Sequence, residues 1–271
     1  AITPEAIDFL LVCTQSPDFL LPPTACLMQD RLGLPTSVGA LEFNLGCSGF
    51  IYGLSLAQGL IQSGQCRTVL LITAETYSKF IHPRDRSVRT LFGDGAAATL
   101  IQGIAGHEDY LGPFVLGTDG AGGQHLSVPS GGARMPRTPE TAVEIEDPHG
   151  NIRSRDHLFM DGPEIFNFTI RAVPKMVHNL LEKTQRKLED IDLFCFHQAN
   201  QYMLEHLRNK LHIPSDRFLY YLAQVGNTVS STIPITLTAA RDRGALQPGM
   251  TIMLCGFGVG YSWGATLMRV P

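Results

Sequence analysis

Apolar and polar positions divide this chain into short apolar runs of strand length, separated by longer stretches with helical spacing. Residues 7–14 (IDFLLVCT) form a short apolar run, the pattern of a parallel strand covered on both faces. A proline-bearing loop at 16–23 leads to a helix at 24–32 that stops at Gly33. Residues 38–45 predict the next strand and 68–73 (TVLLIT) another. Between these strands lies the stretch 41–64, LEFNLGCSGFIYGLSLAQGLIQSG. It reads as a strand, a tight turn at Gly46-Cys47-Ser48-Gly49, and a helix apolar almost all round, which predicts burial. Residues 91–101 read as a strand broken by Gly-Asp-Gly.

From 117 to 156 the periodicity is lost among Gly, Pro and Arg, which predicts an excursion from the core. A long helix follows at 162–185, with Pro163 in its first turn and Pro174 as the source of a kink. Beyond it the pattern predicts a strand at 191–196, a helix at 200–211, a strand at 217–222 and a helix at 228–244. A strand at 251–255, the glycine-rich GFGVGYSWG and a strand at 265–270 complete the chain.

The second run repeats the first. IDFLLVCT matches IDLFCFHQ, and each is followed by a helix, a strand, a turn, and a helix rich in small residues. This alternation predicts an α/β fold with a parallel-rich sheet in each half. The halves should face each other across a pseudo-twofold axis, with the two buried helices between them. The expected organisation is 1–116 as the N-terminal half, 117–158 as the excursion and 159–271 as the C-terminal half. The chain opens at Ala1 rather than Met, directly on a helix-to-strand connection, so preceding material is expected.

Cys47 stands where the buried helix should start. First-turn N–H groups without intrahelical partners, and the helix dipole, favour a thiolate there. Alone, a cysteine in a turn is more often a small buried hydrophobe. In the repeat register, however, Cys47 falls opposite Asn227, each at the start of the small-residue helix that closes its half's repeat of strand, helix, strand, turn and helix. His197 ends the first strand of the second half, at the carboxyl edge where open α/β sheets place ligands. A sulfur, an imidazole and a carboxamide are therefore expected to meet.

Composition narrows the function classes. At 271 residues and 44% hydrophobic, the chain suits one large domain or two intimate ones. A net charge of −4 leaves no basic footprint for nucleic acid. No run of ~18 apolar residues would span a membrane, and no export leader is visible. The six cysteines include no CxxC pair, so no metal site is expected. Cys13, Cys26, Cys195 and Cys255 lie in apolar runs and read as buried reduced thiols of a cytoplasmic protein.

GCSGFIYGLSLAQGLIQSG, FGDGAAATL, HQAN, GNTVSSTIP and GFGVGYSWG, in that order, resemble the β-ketoacyl-acyl-carrier-protein synthase III family of the thiolase superfamily. The likeness runs through nearly the whole chain. It implies a layered αβαβα core, lacking the family's first strand, hairpin and helix ahead of Ala1. It implies that Cys47 accepts an acyl group from acyl-CoA, and that a malonyl thioester, on coenzyme A or a carrier protein, then loses carbon dioxide and condenses with it. The setting would be fatty-acid or polyketide-like biosynthesis. His197 and Asn227 would donate hydrogen bonds to the enolate, and the backbone N–H groups of Cys47 and Val259 would form the oxyanion hole. Phe257 would pack over the nucleophile. Arg86 would stack on the coenzyme A adenine, Ala199 and Asn200 would contact the pantetheine arm, and Phe166 would wall its tunnel. Leu21 would enter a partner subunit's acyl pocket, where a leucine in place of the common phenylalanine implies a primer longer than acetyl. A homodimer and an acyl carrier protein are the implied partners; no cofactor is bound permanently. The family often has an asparagine at Pro163 and basic residues at Asn167 and Tyr202, so carrier docking departs from the usual pattern here.

Three rival readings remain. Papain-like proteases share the order Cys, His, Asn, but Cys47 lacks their Cys-Gly-Ser-Cys-Trp surround. An acyltransferase on the same fold would deliver the acyl group to an alcohol or amine; it tends to need a base where Asn227 stands. A silent subunit of a heterodimeric synthase would not need Cys47, His197 and Asn227 intact.

Overall fold

The computed structural model describes residues 2–106 and 110–271. The first half runs β1 (Phe9–Cys13), α1 (Thr24–Arg31), β2 (Gly39–Phe43), α2 (Gly49–Gln62), β3 (Thr68–Glu75), α3 (Arg86–Arg89) and β4 (Gly95–Gln102). The connecting region holds β5 (Leu111–Thr118) and the short strands β6 (Leu126–Ser127), β7 (Ile145–Glu146), β8 (Ile152–Arg153) and β9 (Phe159–Met160). The second half runs α4 (Gly162–Thr184), β10 (Leu193–Phe196), α5 (Gln201–Lys210), α6 (Leu222–Val225), α7 (Thr232–Asp242), β11 (Thr251–Gly258) and β12 (Ser262–Arg269).

Two four-stranded sheets carry the repeat. One has the order β2-β1-β3-β4 and the other β10-β11-β12-β5. β1 pairs parallel with β3 as β10 does with β11; β3 pairs antiparallel with β4 as β11 does with β12. Alternate side chains of each strand enter different layers. Leu10 and Val12 pack in the cluster under α1, whereas Leu11 packs with Phe50, Ile51 and Leu54 of α2. Phe194 and Phe196 face α4 and α5, whereas Leu193 and Cys195 face the central layer. The central layer is α2 and α7, held between the sheets, so the expected αβαβα order is present.

Several elements depart from the sequence reading. β5 was not expected, and it joins the second half's sheet by pairing antiparallel with β12. A boundary at 116 therefore cuts through β5 and assigns it to the wrong half; Gly112-Pro113 interrupts the apolar pattern that would have disclosed the strand. Residues 217–222 form no strand beyond a single bridge between Phe194 and Phe218. The Gln198 side chain takes the backbone groups that pairing would have used: it accepts from Tyr221 N at 3.0 Å and donates to Leu219 O at 3.3 Å. The strand predicted at 91–101 begins only at Gly95, after the Gly-Asp-Gly break. The excursion is not peripheral throughout, because Leu126 and Leu158 are buried in the main core. α2 leaves Leu56 exposed, and Cys26 is exposed on α1, while Cys13, Cys195 and Cys255 are buried. Among the described residues, no helix is long and apolar enough to cross a membrane.

Candidate active site

The two halves meet at the ends of β2, β10 and β11. Cys47 lies in the turn between β2 and α2, and Ser48 is the residue before the helix. β11 approaches this turn so closely that only glycine fits. A Cβ on Gly256 would lie 2.8 Å from the Cys47 carbonyl oxygen, and one on Gly258 would lie 2.7 Å from Sγ. That approach brings the next residue's N–H, that of Val259, onto the Cys47 sulfur, beside Cys47's own N–H.

The expectation of an acidified thiol is overturned. α2 begins at Gly49, two residues beyond Cys47, and the thiol is only 4% exposed. Burial pushes its pKa up to about 12, outweighing the backbone N–H groups of Val259 and Cys47, and the nearby Glu75 carboxylate adds to the rise. Glu75 is itself buried, behind the nucleophile. It accepts from Gln15 N at 3.0 Å, Ser16 Oγ at 3.3 Å and Ser230 Oγ at 2.9 Å, and burial pushes its carboxyl up to about 7.

His197 follows β10, and its backbone N–H continues the ladder to Cys255 O at 2.7 Å. Its Nδ1 lies 2.7 Å from Thr232 Oγ1, and its ring meets Phe257 edge to face at 5.6 Å. Burial pushes its pKa down to about 3, so the imidazole is neutral at physiological pH.

Asn227 is held by its backbone, which accepts from Gly93 N at 3.0 Å and donates to Leu91 O at 2.9 Å. Gly226, at φ +69, lets the chain enter this bridge. The Asn227 Oδ1 accepts the Val229 N–H at 2.9 Å, which leaves the amide NH₂ as the end facing the cavity. Val229 adopts φ +55, an uncommon conformation for a β-branched residue, and this turn geometry aims its N–H.

Cys47, His197, Asn227, Phe257 and Gly258 share one cavity. Ala199 and Asn200 line it, with Met203 one turn further along α5. Asn200 also caps α5, its Oδ1 accepting from Met203 N at 2.8 Å. On α4 the cavity meets Gly162, Ile165 and Thr169. Phe166 is not among the lining residues: one residue on from Ile165 it is rotated away, and it stacks on Tyr202 at 5.7 Å. Arg86 is exposed on α3 and Leu21 is 81% exposed, both outside this cavity. The Val259 side chain packs toward Gly46 and faces a second, wider cleft that shares Leu126 with the first.

The sequence reading missed much of the cavity wall and, behind it, Thr232. Leu126 comes from the excursion and Met160 from the short strand just beyond it, where no periodicity marks them. Thr232 sits three residues beyond Val229, within a motif already singled out. Thr169 is fully buried, and its hydroxyl has no hydrogen-bond partner among the described residues, an unmet hydrogen bond on the cavity wall.

The chain is similar to known proteins along its length. Residues 41–120 match the family model described as 3-oxoacyl-[acyl-carrier-protein (ACP)] synthase III, and residues 181–270 match its C-terminal model. The chain is 37% identical over 268 residues to a β-ketoacyl-[acyl-carrier-protein] synthase III of Caldanaerobacter subterraneus, covering 99% of this chain and 78% of that protein. It is 36% identical over 271 residues to one of Streptomyces coelicolor, covering 100% and 78%. A crystal structure of a 3-oxoacyl-(acyl-carrier-protein) synthase III superposes with a TM-score of 0.98 at 50% identity, covering 99% of this chain and 80% of that one. The priming β-ketosynthase of the R1128 polyketide pathway superposes at 0.84 with 28% identity, covering 100% and 77%. With five ordered motifs, a matching fold and full-length likeness to relatives, the chain belongs to the β-ketoacyl-[acyl-carrier-protein] synthase III family of thiolase-fold condensing enzymes.

Proposed function

We propose that Cys47 is the acyl-accepting nucleophile, and that His197 and Asn227 stabilise the enolate formed from a malonyl thioester. In the first half-reaction the Cys47 sulfur attacks an acyl-CoA, and the acyl group is stored as a cysteine thioester while coenzyme A leaves. The N–H groups of Cys47 and Val259, which converge on Sγ in the free protein, are the donors available to that acyl carbonyl. In the second half-reaction the malonyl thioester loses carbon dioxide beside the Asn227 NH₂ and the neutral His197 ring. The enolate carbon attacks the stored acyl group. Neither side chain offers a competing anion, which suits decarboxylation better than proton abstraction.

One observation carries this reading: the Cys47 thiol, the His197 ring and the Asn227 carboxamide, from three separate segments of the chain, line one cavity. Incubation with acyl-CoA and intact-mass measurement tests the first step, and carbon dioxide release from a malonyl thioester tests the second. A protein that gains no acyl mass is a silent subunit; one that gains it but releases no carbon dioxide is a simple transferase.

Finer features belong to the same proposal. The protein acts in the cytoplasm, on acyl-CoA and on malonate carried by coenzyme A or an acyl carrier protein, without a resident cofactor. Ala199 and Asn200 contact the pantetheine arm, and Arg86, exposed at the edge of the excursion, meets the adenine end of coenzyme A. The chain pairs with a second copy through the β4 edge and the loop carrying Phe19, Leu20 and Leu21, which are 58%, 86% and 81% exposed. Leu21 of each copy then shapes its partner's acyl pocket and admits a primer longer than acetyl. Strict acetyl preference across a series of acyl-CoA lengths would refute the last point.

A further inference from the structure

β11 and β12 are paired as far as Gly258 and Ser262, so Val259, Gly260 and Tyr261 form a hairpin tip beyond that ladder. Tyr261 is held from outside, exchanging both backbone hydrogen bonds with Asp119 at 2.9 and 3.0 Å. Val259 is held by side chains. Its carbonyl accepts from Ser262 Oγ at 2.9 Å, and Ser262 Oγ lies 2.6 Å from Ser48 Oγ. Both serines are buried. Counting protons gives these contacts a direction. A carbonyl can only accept, and a hydroxyl has one proton. The Ser262 proton goes to the Val259 carbonyl, which leaves Ser262 Oγ to accept the proton of Ser48. Ser48 adjoins Cys47 in the first half, and Ser262 belongs to the sheet of the second. The hydroxyl pair therefore ties the hairpin tip to the nucleophile's turn. On the other side of that turn, the Val259 side chain packs where a Cβ on Gly46 would stand, 2.5 Å away.

We propose that Ser48 and Ser262 are positioning residues that hold the Val259 N–H in register with Cys47 for the oxyanion of acyl transfer. The inference rests on the reading above, in which Cys47 is acylated. In that step the bond from the Cys47 sulfur to the acyl carbon forms and the bond from that carbon to the coenzyme A sulfur breaks. The thiol proton leaves on coenzyme A. Between the two events the acyl oxygen carries the charge, and donors already in place stabilise it without reorganising. The Cys47 N–H belongs to the nucleophile's own turn, which is closed by the bond from Gly49 N to Gly46 O at 2.7 Å. The Val259 N–H arrives from the other half on a hairpin tip, so its place relative to Cys47 depends on what joins the halves there. Gly256 and Gly258 permit the close approach. The hydroxyl pair, one residue from Cys47 and three from Val259, fixes it.

Ser262→Ala removes the bond to the carbonyl, Ser48→Ala removes only the link between the halves, and Ser262→Thr keeps the hydroxyl. Acyl-CoA labelled with carbon-13 at its carbonyl gives an acyl-enzyme whose carbonyl stretch, read as an isotope difference in the infrared, reports the hydrogen bonds it accepts. The band should move to higher frequency in Ser262→Ala and Ser48→Ala and return in Ser262→Thr. The single-turnover rate of acylation at saturating acyl-CoA should fall about tenfold in each alanine variant, short of the ~10²-fold lost when an oxyanion donor is removed outright. The acyl-CoA concentration at half-saturation should change little. The double alanine variant should be no slower than Ser262→Ala, because Ser48 acts only through Ser262. Carbon dioxide release from malonyl-CoA, whose enolate meets His197 and Asn227 instead, should fall far less. An unmoved band, equal loss of both half-reactions, or losses that multiply in the double variant overturns the proposal. Should Ser262→Ala fail to fold, the band and rate of Ser48→Ala decide. Wild-type protein that gains no acyl mass removes the functional reading and this proposal with it, whereas acylation with an unmoved band removes the proposal alone.

Discussion

Val229 donates its backbone N–H to Asn227 Oδ1 at 2.9 Å, and that single bond decides which end of the carboxamide faces Cys47. An amide has one accepting end and one donating end. With the acceptor occupied, the donor is turned to the cavity, where a developing oxyanion would need it.

Asn227→Asp preserves this shape and inverts the chemistry. The carboxylate still accepts from Val229, but it offers an anion where a donor stood. Decarboxylation of a malonyl thioester should fall by about 10²–10³-fold, while acylation of Cys47 changes little. Asn227→Ala and His197→Ala should show the same split. Equal loss of both half-reactions, measured by carbon dioxide release and by intact mass, would contradict the assigned roles.

Cys47→Ser should abolish acyl mass gain. In the wild type the raised thiol pKa, about 12, sets a second expectation. A raised pKa favours the neutral thiol, so alkylation of Cys47 by iodoacetamide should be slow at neutral pH. Its rate should climb about tenfold per pH unit without levelling off near the ordinary cysteine pKa. Peptide mass mapping across a pH series checks this, and a plateau below about pH 9 would show that the helix terminus outweighs burial.

Glu75 gives a pH dependence of stability. Its carboxyl is raised in the folded protein to about 7, because burial disfavours the charge. The folded state therefore holds the proton more tightly than the unfolded chain. Its contribution to stability is fully present below the ordinary carboxyl pKa and is lost as pH rises through about 7. The melting temperature of wild type should drop across this window more than that of Glu75→Gln. Parallel curves for the two proteins would remove Glu75 as the cause.

Among the described residues, the Thr169 hydroxyl on the cavity wall has no hydrogen-bond partner. An unpaired buried hydroxyl costs about 1–3 kcal/mol, so Thr169→Val should raise thermal stability. If the thioester arm supplies the missing partner, the same change should raise KM for acyl-CoA while leaving kcat nearly unchanged. An unaltered KM would place the hydroxyl outside the binding path.

Phe19, Leu20 and Leu21 form an exposed apolar loop, and β4 is an open sheet edge. Light scattering should report a dimer for wild type, and Leu20→Asp with Leu21→Asp should shift it toward monomer. A monomeric wild type at micromolar concentration would end the proposed pairing.

What the sequence by itself determined was the order of most elements, the repeat, and the three side chains that meet in the cavity. These follow from local signals: short apolar runs, helical spacing, glycine and proline punctuation, and the match between residues 7–14 and 191–198. Tertiary structure decided what depends on distance and burial. β5 was hidden by Gly112-Pro113, and its place is set by pairing with β12, which lies far away in the chain. Residues 217–222 look like a strand, but the Gln198 side chain claims their backbone groups. Phe166 and Ile165 are neighbours in sequence, yet 100° of helical rotation puts only Ile165 in the cavity. The pKa of Cys47 was misread because a helix terminus is visible in a sequence, whereas the desolvation that outweighs it exists only once both halves have closed over the sulfur.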